Sequence, residues 1–284
     1  MIMIEIVAFS IALIGTIVAS YYDLKTTEIP DILPVLMIIA GIVVNGLTSI
    51  LMRNPENFIF SLINGAIFAL IGFSMYFSGQ WGGGDAFLLT SIGVLIPKNI
   101  FHENGFPFVF TYLTNLFFIG GIYMLVYSFL LSIKSRKVWK IFKKRVLNLS
   151  LLLSFLFLSF LLLSSFLSFL MIGSVNYKLI TFLSLAAFGL VILWIFSKAV
   201  EETIFVKRIP VSKLKVGDVL LESKKWDGIT EKEIRRIKES GKKYVYIKTG
   251  VCFAPAFPIA LIYTFLFGNS VTNFIKLLYL IWGK

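Results

Sequence analysis

The chain has 284 residues, 58% of them hydrophobic, with 29 Phe and a mean hydropathy of +0.89. Soluble domains carry about 45–50% apolar residues, so this composition excludes a water-soluble globular protein and points to an integral membrane protein. A net charge of +12 would suggest nucleic acid in a soluble chain, but here the basic residues serve topology, and one Cys (Cys252) and one His (His102) exclude a disulfide framework, a multi-cysteine zinc site and a metal site built on His102.

In chain order the apolar runs cover 1–22, 32–52, 58–78, 86–97, 106–133, 147–172, 178–197 and 251–282. Crossing ~30 Å of hydrocarbon takes ~20 helical residues, so the fourth run, at about twelve, is short for a span. The expected fold is an all-α polytopic membrane protein of about eight transmembrane helices, with a small cytoplasmic α+β insert before the last. The first run carries Glu5 where a secretion signal has basic residues, and it lacks a small-residue cleavage site before Asp23; it reads as a retained helix. The last run reads as one long helix or one broken at Phe267–Asn269.

Placing the 23–31 loop in the cytoplasm and alternating from there puts 22 of the 27 Lys and Arg on the cytoplasmic side and five outside. Seven of the 22 lie between Lys134 and Arg145 and thirteen between Lys207 and Lys248. This asymmetry follows the positive-inside rule, and it supports counting the short fourth run as a span, since skipping it would put 134–145 on the wrong side. The expected domains are 1–133, a membrane block; 134–198, a basic loop and a helical pair; 199–250, the insert; and 251–284, a C-terminal membrane segment. Within the insert, "VSKLKVGDVLLES" alternates like a strand with a turn at Gly217-Asp218, Thr230 and Glu233 form a capping box before a helix ending at Gly241, and "KKYVYIKTG" reads as a second strand. The serines of the low-complexity stretch 149–169 have a structural reading, bonding their own carbonyls or a neighbouring helix.

The first 200 residues hold seven acids: Glu5, Asp23, Glu28, Asp31, Glu56, Asp85 and Glu103. Glu5, Glu56 and Glu103 fall at outer ends. The other four converge on the cytoplasmic face, with Asp23 closing the first span and Asp85 opening the fourth. An acid bordering a span is costly and marks a functional site by default. Two carboxyl groups facing one another in a semi-buried cleft share a proton, the arrangement that lets an aspartic protease activate water. Gly82, Gly83 and Gly84 strip side chains from the approach to Asp85 and let another backbone come close.

Asp23-x-Lys25 followed by Ile29-Pro30-Asp31 resembles the D-x-[KR]-x3-I-P-[DN] pattern of type IV prepilin peptidases. Gly82-Gly83-Gly84-Asp85 matches the G-x-G-D motif of the same aspartic membrane proteases. The motif-bearing resemblance, to the archaeal prepilin and preflagellin peptidases, covers roughly 1–130, and the stretch from "RIPVSKL" to "APAFPIAL" is similar to the C-terminal region of one archaeal branch. It implies Asp23 and Asp85 as the catalytic pair, shaped by Gly82, Gly83 and Gly84. It leaves Lys25, Glu28, Ile29, Pro30 and Asp31 as candidate substrate-binding residues. It also implies pilin-like or flagellin precursors with a basic leader and a hydrophobic helix as partners, at the cytoplasmic face of the cell membrane, without cofactor, metal or nucleic acid. Bacterial relatives often carry a four-cysteine domain and also methylate the product; with one Cys and no S-adenosylmethionine signature, cleavage without methylation is expected. Tyr22-Asp23 and, loosely, Ala254–Phe257 also resemble presenilin-like proteases, and an inactive assembly scaffold is the non-enzymatic alternative.

Overall fold

The computed structural model describes residues 2–98, 106–172, 177–223 and 228–282; His102 and Glu103 lie outside them. It is mostly helical. Apolar runs fold as helices because hydrocarbon offers no partner for backbone N–H and C=O groups, so each segment must satisfy its own. Six helices among the described residues are long and apolar enough to cross a membrane, and a seventh crossing results if one bent pair is counted. The chain forms two compact units, Met1–Met124 with Ile209–Lys284, and Leu125–Arg208.

In the first unit, α1 (Ile2–Thr26), α2 (Ile32–Met52) and α3 (Glu56–Phe77) surround α4 (Gly83–Leu95). At 13 residues α4 is only ~20 Å long, too short to cross as a helix. It begins at Gly83 rather than at 86, and its route along α3 shows how far the short fourth run reaches. Gly72 of α3 abuts Ala86, Gly65 abuts Val94, and Lys98 pairs with Glu56 at 2.8 Å. From Gly65 back to Glu56 is about 13 Å of helix, and the four residues from Val94 to Lys98 cover about the same distance only when extended. Residues 83–98 therefore run antiparallel along nearly all of α3, first as helix and then as extended chain.

An extended stretch at that depth exposes carbonyls that need donors. Asn45 of α2 donates to the carbonyls of Val94 (2.9 Å) and Leu95 (3.2 Å). Asn64 of α3 donates to those of Ile96 (3.2 Å) and Pro97 (2.9 Å), and Ser61 bonds Val94 as well. All three side chains are buried, which is affordable only because each is satisfied. The opposite side of α4 contributes Leu88, Leu89, Ile92 and Leu95 to a core shared with Phe68 and Tyr112.

The same unit holds the first part of α5 (Phe108–Ile133) and the last helices, α10 (Ala256–Phe267) and α11 (Ser270–Trp282). These two are bent by 56° at Gly268–Asn269, the second of the two sequence readings. Asn115 of α5 stabilises the break: its amide donates to Thr264 Oγ1 and the Gly268 carbonyl (both 2.8 Å), and its oxygen accepts from Ser270 N–H at 2.8 Å. Asn269 caps α11 by accepting from Val271 and Thr272 N–H.

The second unit contains α6 (Arg136–Asn148), α7 (Ser150–Ile172) and α8 (Tyr177–Val200), the last continuing into a π-helical turn over Glu201–Phe205. Ser164 and Ser165 bond Leu161, and Ser159 bonds Leu156, while Ser164 also meets Ser184 across the helix pair at 3.0 Å. Both expected uses of the serines occur.

The insert is a three-stranded sheet in the order β1–β3–β2, with β1 at Val206–Pro210, β2 at Val219–Leu220 and β3 at Tyr244–Lys248, plus α9 (Glu231–Glu239). The capping box is present: Thr230 N–H donates to Glu233 Oε2 at 2.7 Å, and Glu233 N–H to Thr230 Oγ1 at 3.4 Å. β3 is as expected. The stretch 211–223 is mostly not strand; Val211–Lys213 forms a 3-10 turn and only Val219–Leu220 pairs. Val211 and Leu214, three residues apart, turn inward onto the small core with Ile234, Val245 and Ile247, while Val216 is exposed, so the stretch does not present one face as an extended strand would. The first strand, β1, lies just ahead of the expected one.

Candidate active site

α1 continues past its apolar run, so Asp23 sits one turn before its end rather than in a loop. The helix stops where Thr27 adopts a left-handed φ of 60°, and its N–H bonds back to the Asp23 carbonyl at 2.8 Å. That turn redirects the chain so that Ile29 lands on the glycine run. A Cβ at Gly84 would lie 2.9 Å from Ile29 Cβ, so Gly84 is the place where the two motif stretches touch. At Gly83 a Cβ would meet only Tyr76 at 3.8 Å, an ordinary contact. At Gly82 it would likewise make only an ordinary contact, with Asp85 Oδ2 at 3.5 Å.

Asp85 occupies the first turn of α4, where its Oδ2 accepts from Gly82 N–H at 3.3 Å. Asp23 is buried, at 7% exposure, and its Oδ2 accepts from Ala254 N–H at 2.9 Å. The two carboxyl groups lie within electrostatic reach of one another. They are held alike: one oxygen of each is fixed by a backbone N–H, and the other makes no hydrogen bond among the described residues. Chemically this is a pair of oriented acids, each with an oxygen available to exchange a proton with a third species.

Sequence reasoning missed two supports. The first is the segment 252–255, which delivers the Ala254 N–H and whose Cys252 thiol donates to the Asp23 carbonyl at 3.3 Å. Tyr123 of α5 fixes that segment by donating to the Cys252 carbonyl at 2.9 Å. The second is Trp81, immediately before the glycines. Its buried ring packs on Phe253 (centroids 5.5 Å), Phe257 (5.9 Å) and Phe117 (6.1 Å). One aromatic cluster thus links the turn that carries Asp85 to the segment that holds Asp23. The signal for Trp81 was its place beside the motif; for Ala254 there was only the loose "APAF" likeness.

The remaining candidates divide. Ile29 is half-buried against Gly84, and Pro30 accepts from Leu33 N–H as α2 begins. Lys25, Glu28 and Asp31 are exposed. Lys25 turns back onto Tyr21, with Nζ 5.5 Å from the ring centroid, and Asp31 makes no side-chain cap on α2. Glu28 approaches the turn at Gly217 of the insert, where a Cβ would sit 3.8 Å from Oε1. No group of three or more His, Cys, Asp or Glu side chains among the described residues is arranged to hold a metal ion.

The segment bearing both acids matches a known family, described as the type IV leader peptidase family, over residues 10–133. Among curated proteins, the chain is 39% identical over 90 residues to the preflagellin peptidase of Methanocaldococcus jannaschii, covering 32% of this chain and 38% of that one. It is 31% identical over 147 residues to the prepilin peptidase EppA of Methanothermobacter thermautotrophicus, covering 47% and 38%. With the preflagellin peptidase of Methanococcus maripaludis the figures are 28% over 127 residues, 43% and 55%. The chain therefore spans 38% of the length of each of the first two relatives. Trp81 lies inside the family match, whereas Cys252 and Ala254 lie outside it.

Proposed function

We propose that this multi-pass membrane protein is an aspartic endopeptidase that removes the short basic leader from pilin-like or flagellin precursors at the cytoplasmic membrane face. The observation that carries this reading is the pairing of Asp23 and Asp85 from separate helices, each anchored through one oxygen by a backbone N–H. In such a pair the ionised carboxylate takes a proton from a water molecule, whose oxygen attacks the scissile carbonyl carbon. The protonated partner donates to the carbonyl oxygen, giving a gem-diol. The first acid then returns its proton to the amide nitrogen as the C–N bond breaks, and the gem-diol passes a proton back to the second. No metal enters, and we propose no methyl transfer to the new N-terminus.

The position of both acids about a turn inside helix ends supports a scissile bond at the interface, between a leader in water and a hydrophobic helix in lipid. Glu28 and Asp31 are exposed beside it and suit steering of a basic leader, with Lys25 and Pro30 shaping the loop that carries them. Co-expression with a precursor should show the size shift of leader removal, absent for Asp23→Asn and for Asp85→Asn. Full processing by either variant would sink the mechanism. The product's N-terminus should be unmethylated by mass spectrometry.

A second reading, a presenilin-like intramembrane protease, is favoured by one contact, the Ala254 N–H on Asp23. Mapping the cut separates the two, since that protease would cut within the substrate's apolar helix rather than at the leader boundary. An inactive scaffold would support assembly equally well without either acid.

A further inference from the structure

Helix α6 joins two spans with almost no slack: α5 ends at Ile133 and α6 begins at Arg136, and α6 ends at Asn148 with α7 starting at Ser150. Its 13 residues are thereby tied at both ends to one membrane face. The depth follows from the helix pair it adjoins. Ser164 meets Ser184, so fourteen residues back along α7 Ser150 lies level with Lys198, fourteen forward along antiparallel α8. The apolar side of α6, Val138, Ile141 and Phe142, packs on Phe196, Ala199 and Val200, and on Ile204 and Phe205 beyond them. α6 therefore lies at and just beyond the level where hydrocarbon ends, in the headgroup layer. Trp139 marks the same boundary: its indole N–H donates to the Ser132 carbonyl in the last turn of α5 (3.1 Å), with its ring against Phe129, Phe142 and Phe196.

At 100° per residue, Arg136, Lys137, Lys140, Lys143 and Lys144 fall within a stripe about 120° wide, on the side away from that apolar face. All five are exposed. Glu201 and Glu202 are the only acids from 125 to 208, and they pair with Lys198 and Arg145 respectively. The unit thus holds no counter-charge for the stripe. A topology rule counts such charges but does not require them on one line of one helix at headgroup depth.

We propose that α6 is a docking surface for anionic phospholipid headgroups, with the five-residue stripe binding lipid phosphates along the membrane face. This holds whatever reaction the two aspartates perform. The full-length protein in nanodiscs, probed by electron spin resonance with spin-labelled phosphatidylglycerol and phosphatidylcholine, tests it. At low salt the wild type should prefer phosphatidylglycerol by at least about fivefold, the contribution of a single basic residue at an anionic surface. The preference should collapse near 1 M salt, where the Debye length is ~3 Å.

Neutralising the stripe (R136Q/K137Q/K140Q/K143Q/K144Q) should abolish the preference. Changing its four lysines to arginine should keep it, and removing five charges from and beside α9 (K232Q/R235Q/R236Q/K238Q/K242Q) should leave it intact. A wild type without preference, or with one insensitive to salt, overturns the proposal without recourse to any variant. So does a preference that survives neutralisation of the stripe, which would leave the stripe to an acidic protein partner instead.

Discussion

Gly84→Ala tests the joint between the two motif stretches. The new Cβ would lie 2.9 Å from Ile29 Cβ, whereas carbon atoms pack at about 3.5–4.0 Å. Something must therefore move by about 0.6–1.1 Å. Ile29 follows Asp23 by six residues and Gly84 directly precedes Asp85, so relief displaces one acid relative to the other. Overpacking of this kind costs about 1–3 kcal/mol in stability. A misplacement near 1 Å in a reacting constellation costs up to ~10²-fold in rate. Gly83→Ala meets only Tyr76 at 3.8 Å and should stay within about twofold of wild type, because it adds no contact shorter than ordinary packing.

The assay is single-turnover cleavage of a leader-bearing precursor, with melting temperature in detergent measured beside it. Ile29→Gly removes the opposing Cβ, so Gly84→Ala should cost far less in that background, which completes a double-mutant cycle. Equal rates for the two alanine variants, or an undiminished penalty in the Ile29→Gly background, would refute the packing argument.

Trp81→Ala removes the ring that links the two supports; precursor cleavage should fall at least tenfold, and a change in melting temperature alone, with wild-type rate, would assign the ring to the core only. Tyr123→Phe deletes the 2.9 Å bond that fixes the Asp23-contacting segment, a loss of about 1 kcal/mol that should appear as a several-fold lower rate. Asn115→Leu leaves the Gly268 carbonyl and Ser270 N–H of the helix break unsatisfied, which should lower stability by about 2–6 kcal/mol at 1–3 kcal/mol per orphaned group, read from thermal or denaturant unfolding. Glu233 is held below its usual 4.5, first by the Thr230 backbone N–H it accepts. Because its folded value is depressed, its support of α9 is present above the unfolded value and is lost as pH falls through the folded one. Hydrogen exchange of α9 amides should show acid-induced loss of protection in wild type, and Glu233→Gln should remove that pH dependence.

Much of this was legible in one dimension because hydrocarbon imposes a strong rule. A span must be apolar and about 20 residues long, so helices α1, α2, α3, α5, α7 and α8 stand out in composition, and Asp23 and Asp85 stand out against it. The capping box at Thr230 was readable for the same kind of reason, since partners three residues apart need no fold to meet. α4 was harder, because its twelve-residue run looks too short. Its path along α3 is completed by an extended tail whose carbonyls are satisfied by Asn45, Ser61 and Asn64, residues 30 to 50 positions away. The pattern in 211–223 misled because its apolar residues do not share one strand face: Val211, Leu214 and Leu220 reach the core, while Val216 is exposed.

By itself, then, the sequence determined that the chain is a membrane protein, where its spans lie, and which two acids break the apolar pattern in a family-specific order. Only the tertiary structure decided what surrounds those acids. Asp23 is fixed by a backbone N–H from Ala254, 231 residues later, and the turn of Asp85 is tied to that same segment through Trp81 and Phe253. A backbone N–H has no residue type, and ring contacts between distant helices leave no periodicity, so neither could be read along the chain. Ile29 and Gly84 show the boundary between the two: each belongs to a recognisable motif, but only the fold reveals that one motif packs on the other.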